Sequence, residues 1–325
     1  MALLEVENLT VTLDTQRGPG QAVRELSFSL ERGQTLGIVG ESGCGKSMTA
    51  LALMGLLPER ARTTGAVRLD GRDILHLPEQ ELCRLRGNRL AMIFQEPMTS
   101  LNPLHPVGRQ VAEPLMLHRG LGQAAAREEA LRLLDRVGIP NAARRLDSYP
   151  HQMSGGQRQR VMIAMALACG PDLLIADEPT TALDVTIQGQ ILDLIRELVE
   201  ESGMALILIS HDLGVIAESV AQMLVMYGGM AVESGPTAKV FARLAHPYAR
   251  GLFAARPRVG RGRGERLYNI AGTVPELVDL PKGCPFLDRC AYAIADCAAA
   301  PPPPREIDAG HSARCIRLGE LPEGL

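Results

Sequence analysis

One run of residues in this sequence has the types and spacing needed to bind a phosphate ester. It is the glycine-rich run Gly40-Glu41-Ser42-Gly43-Cys44-Gly45-Lys46-Ser47. Its glycines allow the backbone to turn sharply and to bring N–H groups close to phosphate oxygens. In such a loop Lys46 reaches the β- and γ-phosphates of a nucleotide, and the Ser47 hydroxyl binds Mg²⁺. The run therefore predicts a nucleotide-phosphate site.

The segments on either side of this loop are of the kind that must position it. Thr35–Val39 is an apolar run typical of a buried strand, and Met48–Met54 is typical of a helix. A strand, a glycine-rich loop and a helix in this order are the P-loop in its required context. The N-terminus of the helix adds a partial positive charge that favours phosphate. The alternative is an incidental glycine-rich turn, and the flanking elements argue against it.

Polar residues also stand at the ends of three further apolar runs, each of which predicts a strand. They are Gln95, Asp177 with Glu178, and His211, which follow the runs 90–94, 172–176 and 204–209. Open α/β sheets place ligands at the C-terminal ends of their parallel strands, so these side chains are expected to converge on the phosphates. The alternatives are a structural ion pair or cap for the two acids and a structural role for the histidine.

Composition limits the class of protein. The chain has 325 residues, of which 46% are hydrophobic, so one large domain with a smaller one is expected. A formal net charge of −3 argues against a nucleic-acid binder, and 3% aromatic residues without Trp argue against a stacking platform for single strands. The N-terminus lacks a basic signal region, and no apolar run reaches the roughly 18–20 residues that span a bilayer. A cytosolic chain, or one bound to a membrane through partners, is expected.

The chain pattern is α/β with one interruption. Residues 105–150 change character: Ala130, Leu133, Leu134 and Val137 repeat at helical spacing, which indicates a helical insertion. The insertion leads into Ser154-Gly155-Gly156-Gln157, a turn that starts a helix and so forms a second anion site.

Taken together, these motifs resemble the ATP-binding-cassette (ABC) ATPase domain. The matching positions are Gly40–Ser47 for Walker A, Gln95 for the Q-loop, Ser154–Gln157 for the signature, Leu173–Glu178 for Walker B, Ala182-Leu183-Asp184 for the D-loop and His211 for the switch histidine. The resemblance implies an α/β P-loop ATPase core with an antiparallel β subdomain and a helical insertion. It also implies hydrolysis of Mg-ATP to ADP and phosphate.

The resemblance assigns a role to each motif. Nucleotide binding falls to Gly40, Glu41, Ser42, Gly43, Cys44, Gly45, Lys46, Ser47 and Met48. Mg²⁺ would be held through Ser47, Gln95 and Asp177. Glu178 would polarise the attacking water, with His211, Gln95 and Lys46 also in the catalytic set. Ser154, Gly155, Gly156 and Gln157 would close over the ATP of a second ATPase subunit, with Asp184 in the D-loop.

One family feature is missing from the sequence. These ATPases usually stack adenine on an aromatic residue upstream of Walker A, and no Phe, Tyr or Trp occurs here before Phe28. Arg17 and Val23 are the candidates for contact with the base in its place. Cys44 replaces a more usual small residue of the loop, and its side chain need not touch phosphate.

The C-terminal third is similar to the extension of the oligopeptide/dipeptide importer ATPases, which carries His246-Pro247-Tyr248. Residues 92–103 and 176–186 also resemble that subfamily. The resemblance implies an ATPase domain at 1–235, with a helical subdomain at about 100–165, and an extension at 236–325. It implies a motor at the cytoplasmic face of the inner membrane, peripheral to two transmembrane permease subunits. A second ATPase subunit, a sister chain or a self copy, and indirectly an extracytoplasmic binding protein complete the assembly.

Peptides are the favoured substrates under this resemblance. Nickel chelates, opines and glutathione-like peptides remain alternatives. A soluble ABC ATPase acting on DNA or ribosomes is the alternative of a different class, but those proteins usually carry two cassettes or a long coiled-coil insertion. The Gly/Arg-rich run at 260–264 is too short and too poor in aromatic residues for a nucleic-acid-binding patch. It predicts a solvated hinge instead.

Four of the seven cysteines lie close together near the C-terminus. They are Cys284, Cys290, Cys297 and Cys315, spaced C-x5-C-x6-C-x17-C. Four thiolates bind zinc or an iron–sulfur cluster, and the C-x2-C knuckle of many structural zinc sites is absent. Members of the resembling subfamily with this tail can carry a [4Fe–4S] cluster, which makes the cluster the preferred assignment. Zinc and unligated thiols remain alternatives.

Overall fold

The computed structural model describes residues 2–95, 100–181, 183–255 and 269–322. The chain forms two compact units. Unit 1 comprises Met1–Leu30, Thr35–Leu75 and Ser210–Leu325, and unit 2 comprises Glu31–Gln34 and His76–Ile209. Unit 1 therefore groups the C-terminal extension with the N-terminal strands, whereas the sequence-based boundary at residue 235 stays a prediction about chain segments. The predicted hinge at 260–264 lies outside the described residues.

Unit 1 begins with an antiparallel sheet in the order β2-β1-β4-β5. Its strands are β1 (Leu4–Thr15), β2 (Gly18–Leu30), β4 (Arg62–Leu69) and β5 (Arg72–Asp73). A tight hairpin joins β1 to β2, with Thr15 opposite Gly18 and Val11 opposite Val23. Val11 and Val23 are both fully buried. The antiparallel β part predicted from the sequence is confirmed.

A second set of strands in unit 1 carries the P-loop. It comprises β3 (Thr35–Val39), β9 (Gln222–Tyr227), β10 (Met230–Pro236), β11 (Arg305–Asp308) and β12 (His311–Ala313). β3 pairs in parallel with β9, and β9, β10, β12 and β11 follow one another as antiparallel neighbours. The last two strands belong to the extension, so the tail is built into this unit through backbone hydrogen bonds.

The helices of unit 1 connect these strands. They are α1 (Lys46–Met54), α8 (Leu213–Ser219), α9 (Thr237–Ala242) and α10 (Pro247–Ala254). Gly37 on β3 lets α8 approach closely, because a Cβ at Gly37 would lie 2.6 Å from the Ile216 side chain. The strand before the P-loop and the helix after it are both as predicted.

Unit 2 combines three parallel strands with a helical region. The strands are β6 (Leu90–Ile93), β7 (Leu173–Asp177) and β8 (Ala205–Ser210), and β7 lies between the other two. All the residues of β7 and β8 are buried, which explains why both strands appear in the sequence as continuous apolar runs.

The predicted helical insertion lies between β6 and β7. Among the described residues of unit 2 the helices include α2 (Glu79–Leu85), α3 (Val107–Arg119), α4 (Gln123–Arg136), α5 (Ala142–Arg145), α6 (Gly155–Leu167) and α7 (Val185–Ser202). On α4 the buried residues Ala126, Ala130, Leu133 and Leu134 follow the helical period. The periodicity seen in the sequence is therefore the core-facing side of this helix.

Candidate nucleotide-binding site

The P-loop in unit 1 has the backbone geometry that phosphate binding requires. Gly40, Gly43 and Gly45 adopt positive φ angles of 158°, 82° and 102°. A Cβ at Gly45 would collide with the carbonyl oxygen of Ala22, so only glycine fits there. α1 begins at the next residue, Lys46, and its first N–H groups face the loop.

Lys46 is held inside the loop by the backbone. Its Nζ donates to the carbonyl oxygens of Gly40, at 2.7 Å, and Glu41, at 3.1 Å, and its side chain is buried. The ammonium group is thus placed at the centre of the glycine-rich turn. Cys44 is fully buried, and burial raises the pKa of its thiol, so its side chain belongs to the core rather than to the phosphate face.

Glu41, in the same loop, is held by two residues of the C-terminal extension. Its backbone N–H donates to the Tyr248 hydroxyl at 2.7 Å. Its carboxylate accepts from both terminal nitrogens of Arg289, at 2.6 and 3.1 Å. The Arg289 side chain is only 5% exposed, and this paired carboxylate raises its pKa. A two-pronged guanidinium–carboxylate pair fixes direction as well as charge, so the extension sets the position of the loop.

The His-Pro-Tyr sequence explains how Tyr248 reaches the loop. His246 caps α10, because its Nδ1 accepts from the Tyr248 backbone N–H at 3.1 Å. Pro247 occupies the first turn, where its missing N–H costs nothing. Full burial lowers the pKa of His246 to about 3, so the ring stays neutral and can accept this bond. Glu233 holds the entry to the helix by accepting from the Ala245 and His246 N–H groups.

Aromatic packing supports the same contact. The rings of Tyr227 and Tyr248 lie 4.6 Å apart, and Phe286 lies 5.1 Å from the first and 5.3 Å from the second. Such tilted and edge-on pairs add stability beyond their buried area. The Arg289 guanidinium carbon lies 5.7 Å from the centre of the Tyr227 ring. Three of the chain's ten Phe and Tyr residues thus pack around the contacts that Tyr248 and Arg289 make with Glu41.

The neighbourhood of the predicted base contacts differs from the expectation. Val23 is fully buried in β2, so the prediction that it contacts adenine is wrong. Arg17 extends from the hairpin and donates to Glu276 at 2.9 Å and to both oxygens of Asp279 at 2.6 and 2.7 Å. This fork ties the hairpin to the extension.

Unit 2 brings together the predicted Walker B acid and the Q-loop. Asp177 ends β7, and Glu178 follows with a left-handed φ of 44°. The Glu178 Oε2 accepts from Gln95 Nε2 at 3.1 Å and from Thr181 Oγ1 at 3.2 Å. A non-glycine residue in this conformation is held against its preference, which is common at functional sites. The carboxylate is therefore fixed and hydrogen-bonded at the end of the strand.

The signature residues form a capped helix start. Ser154 Oγ accepts from the Gln157 N–H at 3.3 Å, and the Gln157 side chain accepts from the Ser154 N–H at 3.1 Å. This reciprocal capping fixes the first turn of α6, and Ser154 itself is exposed. Asp184 caps α7 by accepting from the Ile187 N–H at 3.0 Å. Ala182 of the predicted D-loop lies outside the described residues.

His211 directly follows β8 and is exposed, as a histidine that meets a ligand must be. The turn after it is ordered by the neighbouring Ser210, whose Oγ accepts from the Asp212 N–H at 3.0 Å. Asp212 in turn caps α8 through the Gly214 N–H. The switch position is therefore set by local hydrogen bonds in unit 1.

The four late cysteines share one small cavity of 20 Å³ in unit 1. Its lining includes Cys284, Cys290, Cys297 and Cys315. All four are free thiols, and burial raises the pKa of Cys284 to about 11. The Cys284 N–H donates to the Cys297 carbonyl at 2.8 Å, which joins the two ends of the loop. Within the described parts of the chain, no group of three or more His, Cys, Asp or Glu side chains is arranged to hold a metal ion.

The comparisons with known proteins cover nearly the whole chain. The sequence family described as "ABC transporter" matches residues 23–181, and that described as "Oligopeptide/dipeptide transporter, C-terminal region" matches residues 232–297. The chain is 54% identical to the oligopeptide transport ATP-binding protein OppD of Escherichia coli K12, over 93% of this chain and 89% of that protein. It is 47% identical to a putative peptide import ATP-binding protein of Brucella abortus, over 98% of both.

The chain belongs to the ATP-binding subunits of the oligopeptide/dipeptide ABC transporter family. Solved structures agree with this. A dimeric post-hydrolysis structure of the ATP-binding cassette MJ0796 with ADP and Pi matches with a TM-score of 0.65 and 29% identity, over 72% of this chain and 98% of that one. CbiO1 from Clostridium perfringens matches with a TM-score of 0.62 and 27% identity, over 74% and 91%. The predicted fold class and the ATPase activity are confirmed.

This ABC ATPase subunit has no helix long and apolar enough to cross a bilayer among the residues that the structure describes.

The sequence did not predict the contacts of the P-loop with the extension. Glu41 lies 207 residues from Tyr248 and 248 residues from Arg289, and nothing in the local sequence signals a pair at that separation.

We expect the contributions of Arg289 and Glu41 to the free energy of unfolding to depend strongly on each other. Arg289→Gln leaves a half-buried carboxylate without its partner and should lower the free energy of unfolding by about 3 kcal/mol. Urea unfolding of Arg289→Gln, Glu41→Gln and the double variant should give a coupling energy of at least about 1 kcal/mol. The matched control is Arg127→Gln, which breaks an exposed two-pronged pair with Asp147 and should cost less than about 1 kcal/mol. Additive effects of the two substitutions would contradict the predicted coupling between Arg289 and Glu41.

Proposed function

We propose that this chain is the ATP-hydrolysing motor subunit of a membrane importer for di- or oligopeptides. The observation that carries the proposal is the 54% identity to OppD over nearly the whole of both chains, extension included. The chain would bind two permease subunits at the inner face of the membrane and couple hydrolysis to passage of the peptide. An extracytoplasmic binding protein would deliver the substrate to the permease.

We propose that the chain binds Mg-ATP through the residues of its nucleotide-binding motifs. The ready-made P-loop supports Lys46 and the Gly40–Met48 backbone as the phosphate cradle, with the Ser47 hydroxyl on Mg²⁺. Asp177 and Gln95 would complete the Mg²⁺ shell. Glu178 would orient and deprotonate the attacking water, and His211 would contact the γ-phosphate. The fixed position of Glu178 at a strand end supports its role as the base.

The signature turn supports a role in a dimer of ATPase subunits. Ser154 is exposed at a capped helix N-terminus, which suits the γ-phosphate of an ATP held by another subunit. The related cassette MJ0796 was solved as a dimer bound to ADP and Pi. A sister ATPase is the proposed partner, and a second copy of this chain is the alternative. Two subunits would close around two nucleotides and reopen after hydrolysis.

We expect Glu178→Gln to bind ATP and to stop turnover. Glutamine can still accept from Gln95 and Thr181, but it cannot take the proton of the water, so phosphate release should fall by at least about 100-fold. Size-exclusion chromatography of this variant with Mg-ATP and the sister ATPase should show an accumulated dimer. Glu200→Gln, on the exposed face of α7, is the matched control and should hydrolyse ATP like the wild type. Near wild-type hydrolysis by Glu178→Gln would remove this residue from the base role.

The importer assignment is tested by the partners of the chain. A tagged chain purified from detergent-solubilised native membranes should bring down two multi-spanning proteins and a sister ATPase, identified by mass spectrometry. The associated binding protein should then bind peptides. Recovery of soluble partners or nucleic acid alone would leave the ATPase in place and overturn the transport role.

We propose that Cys284, Cys290, Cys297 and Cys315 hold a [4Fe–4S] cluster. The shared cavity and the four free thiols support this ligand set. Zinc held by the same four thiolates is the alternative. A cavity of 20 Å³ has room for about one water, so the four side chains must move outward to admit a cluster. The cluster would brace the extension.

Anaerobic purification tests the cluster. The protein should be brown, with broad absorption near about 400 nm and with iron and sulfide in equal amounts. Cys297→Ser should lose the colour, whereas Cys83→Ser, at an exposed cysteine outside the motif, should keep it. Colourless protein with stoichiometric zinc would contradict the proposal.

A further inference from the structure

A cavity of 340 Å³ opens beside the P-loop in unit 1. Its lining comprises Thr15, Ser42, Gly43, Val274, Pro275, Glu276, Leu277 and Val278. The size lies within the range of about 300–1,000 Å³ that small-molecule sites occupy. One side is the P-loop, and the other is residues 274–278, a segment of the extension that we call the tail wall.

The position of the cavity indicates what it would hold. Gly43 faces open space, because a Cβ built there would meet no atom within 4 Å. A nucleotide whose phosphates lie on the P-loop must place its ribose and base next to the loop. Since Ser42 and Gly43 line both the phosphate loop and the cavity, the cavity lies where a nucleoside attached to those phosphates would extend.

The tail wall has the chemistry of a base-binding surface. Four apolar residues of the tail wall are only partly buried, so they leave apolar surface that a ligand can cover. They are Val274, Pro275, Leu277 and Val278. Glu276 adds an acceptor at the edge of the cavity. Flat apolar ligands with a polar rim are bound by this combination of aliphatic surface and a few polar groups. The nearby hairpin offers no aromatic ring, since Phe28 is the first aromatic residue of the chain.

The tail wall is fixed in place by the β1–β2 hairpin. The guanidinium of Arg17 bonds to Glu276 and to both oxygens of Asp279. Leu277 packs directly over Gly20, because a Cβ at Gly20 would lie 2.7 Å from the Leu277 Cβ. The Asp279 N–H donates to the Glu276 carbonyl at 2.9 Å and closes a turn. A surface held on both sides in this way needs little ordering when a ligand binds.

We propose that the tail wall is the surface against which the adenosine part of the nucleotide packs. The C-terminal extension then supplies within the same chain the base contact that an aromatic residue upstream of the P-loop supplies in other cassettes. This inference rests on the proposed binding of ATP at the P-loop and goes beyond it by assigning the base subsite. Arg17 acts as a positioning residue, because it holds Glu276 and Asp279 rather than the base.

Calorimetric binding of Mg-ADP and of inorganic pyrophosphate to the full chain separates the two parts of the site. ADP is not hydrolysed, and pyrophosphate has no nucleoside. The double variant Leu277→Ser with Val278→Ser should bind ADP about tenfold more weakly and pyrophosphate as the wild type does. Ile294→Ser, the same kind of change at an exposed position of the extension away from the cavity, should change neither affinity.

A second variant moves the tail wall without altering it. Gly20→Val places a side chain where Leu277 now packs, and it should again weaken ADP binding while leaving pyrophosphate binding unchanged. Unchanged ADP affinity in both variants would overturn the proposal. Tighter ADP binding would also overturn it, since the segment would then be an obstacle in the base site. Equal weakening of ADP binding and pyrophosphate binding would show instead that the tail wall acts by setting the shape of the P-loop. A wild type that binds neither would refute nucleotide binding itself.

Discussion

The ion pair between the buried guanidinium of Arg289 and the half-buried carboxylate of Glu41 is the interaction on which the nucleotide-binding unit depends. It joins the start of the phosphate loop to the loop of the extension that carries the cysteines. Without this carboxylate the Arg289 guanidinium would keep its hydrogen bonds to the Tyr227 hydroxyl and to the carbonyl oxygens of Ala271 and Ile270, which carry no charge to balance its own. Breaking a buried pair typically lowers the free energy of unfolding by about 3–5 kcal/mol. An exposed salt bridge contributes only about 0–1 kcal/mol. The extension and the P-loop are therefore expected to be ordered together.

Three contacts of different kinds make the extension part of the nucleotide-binding unit. Arg289 orients the Glu41 side chain, Tyr248 takes the Glu41 N–H, and Arg17 holds the segment that lines the cavity beside the loop. The Glu41 N–H is thereby committed to a side chain of the protein, so the phosphate cradle relies on the remaining loop and helix N–H groups. An extension that only stabilised a part of the chain away from the P-loop would not need these contacts with the loop and the neighbouring hairpin.

The parts of the site that follow from local sequence were predictable. The P-loop, the strand before it and the signature turn each depend on residues within a few positions of one another, so glycine spacing and apolar runs indicated them. Val23 was mistaken for a base contact because a strand residue near the P-loop can face either side, and the pairing with Val11 places it inside. The fork of Arg17 could not be foreseen, because its partners lie some 260 residues away.

The cysteine motif shows the same limit. Spacing alone identified four candidate ligands, and the shared cavity required the fold, since Cys315 follows a strand that pairs with β10. The neighbouring Arg289 gives the motif a consequence that spacing does not reveal. Any change in the cysteine loop, such as ligation or oxidation, acts one residue away from the side chain that holds Glu41.

The central claim, that the extension is part of the nucleotide site, is tested most directly by photolabelling with 8-azido-ATP. This analogue attaches to residues beside the base, and tryptic peptides are then identified by mass spectrometry. The account predicts that the labelled peptide is 267–282, which contains the tail wall, and that excess ADP abolishes the labelling. Labelling confined to peptides of the N-terminal strands, with none at 267–282, would contradict it.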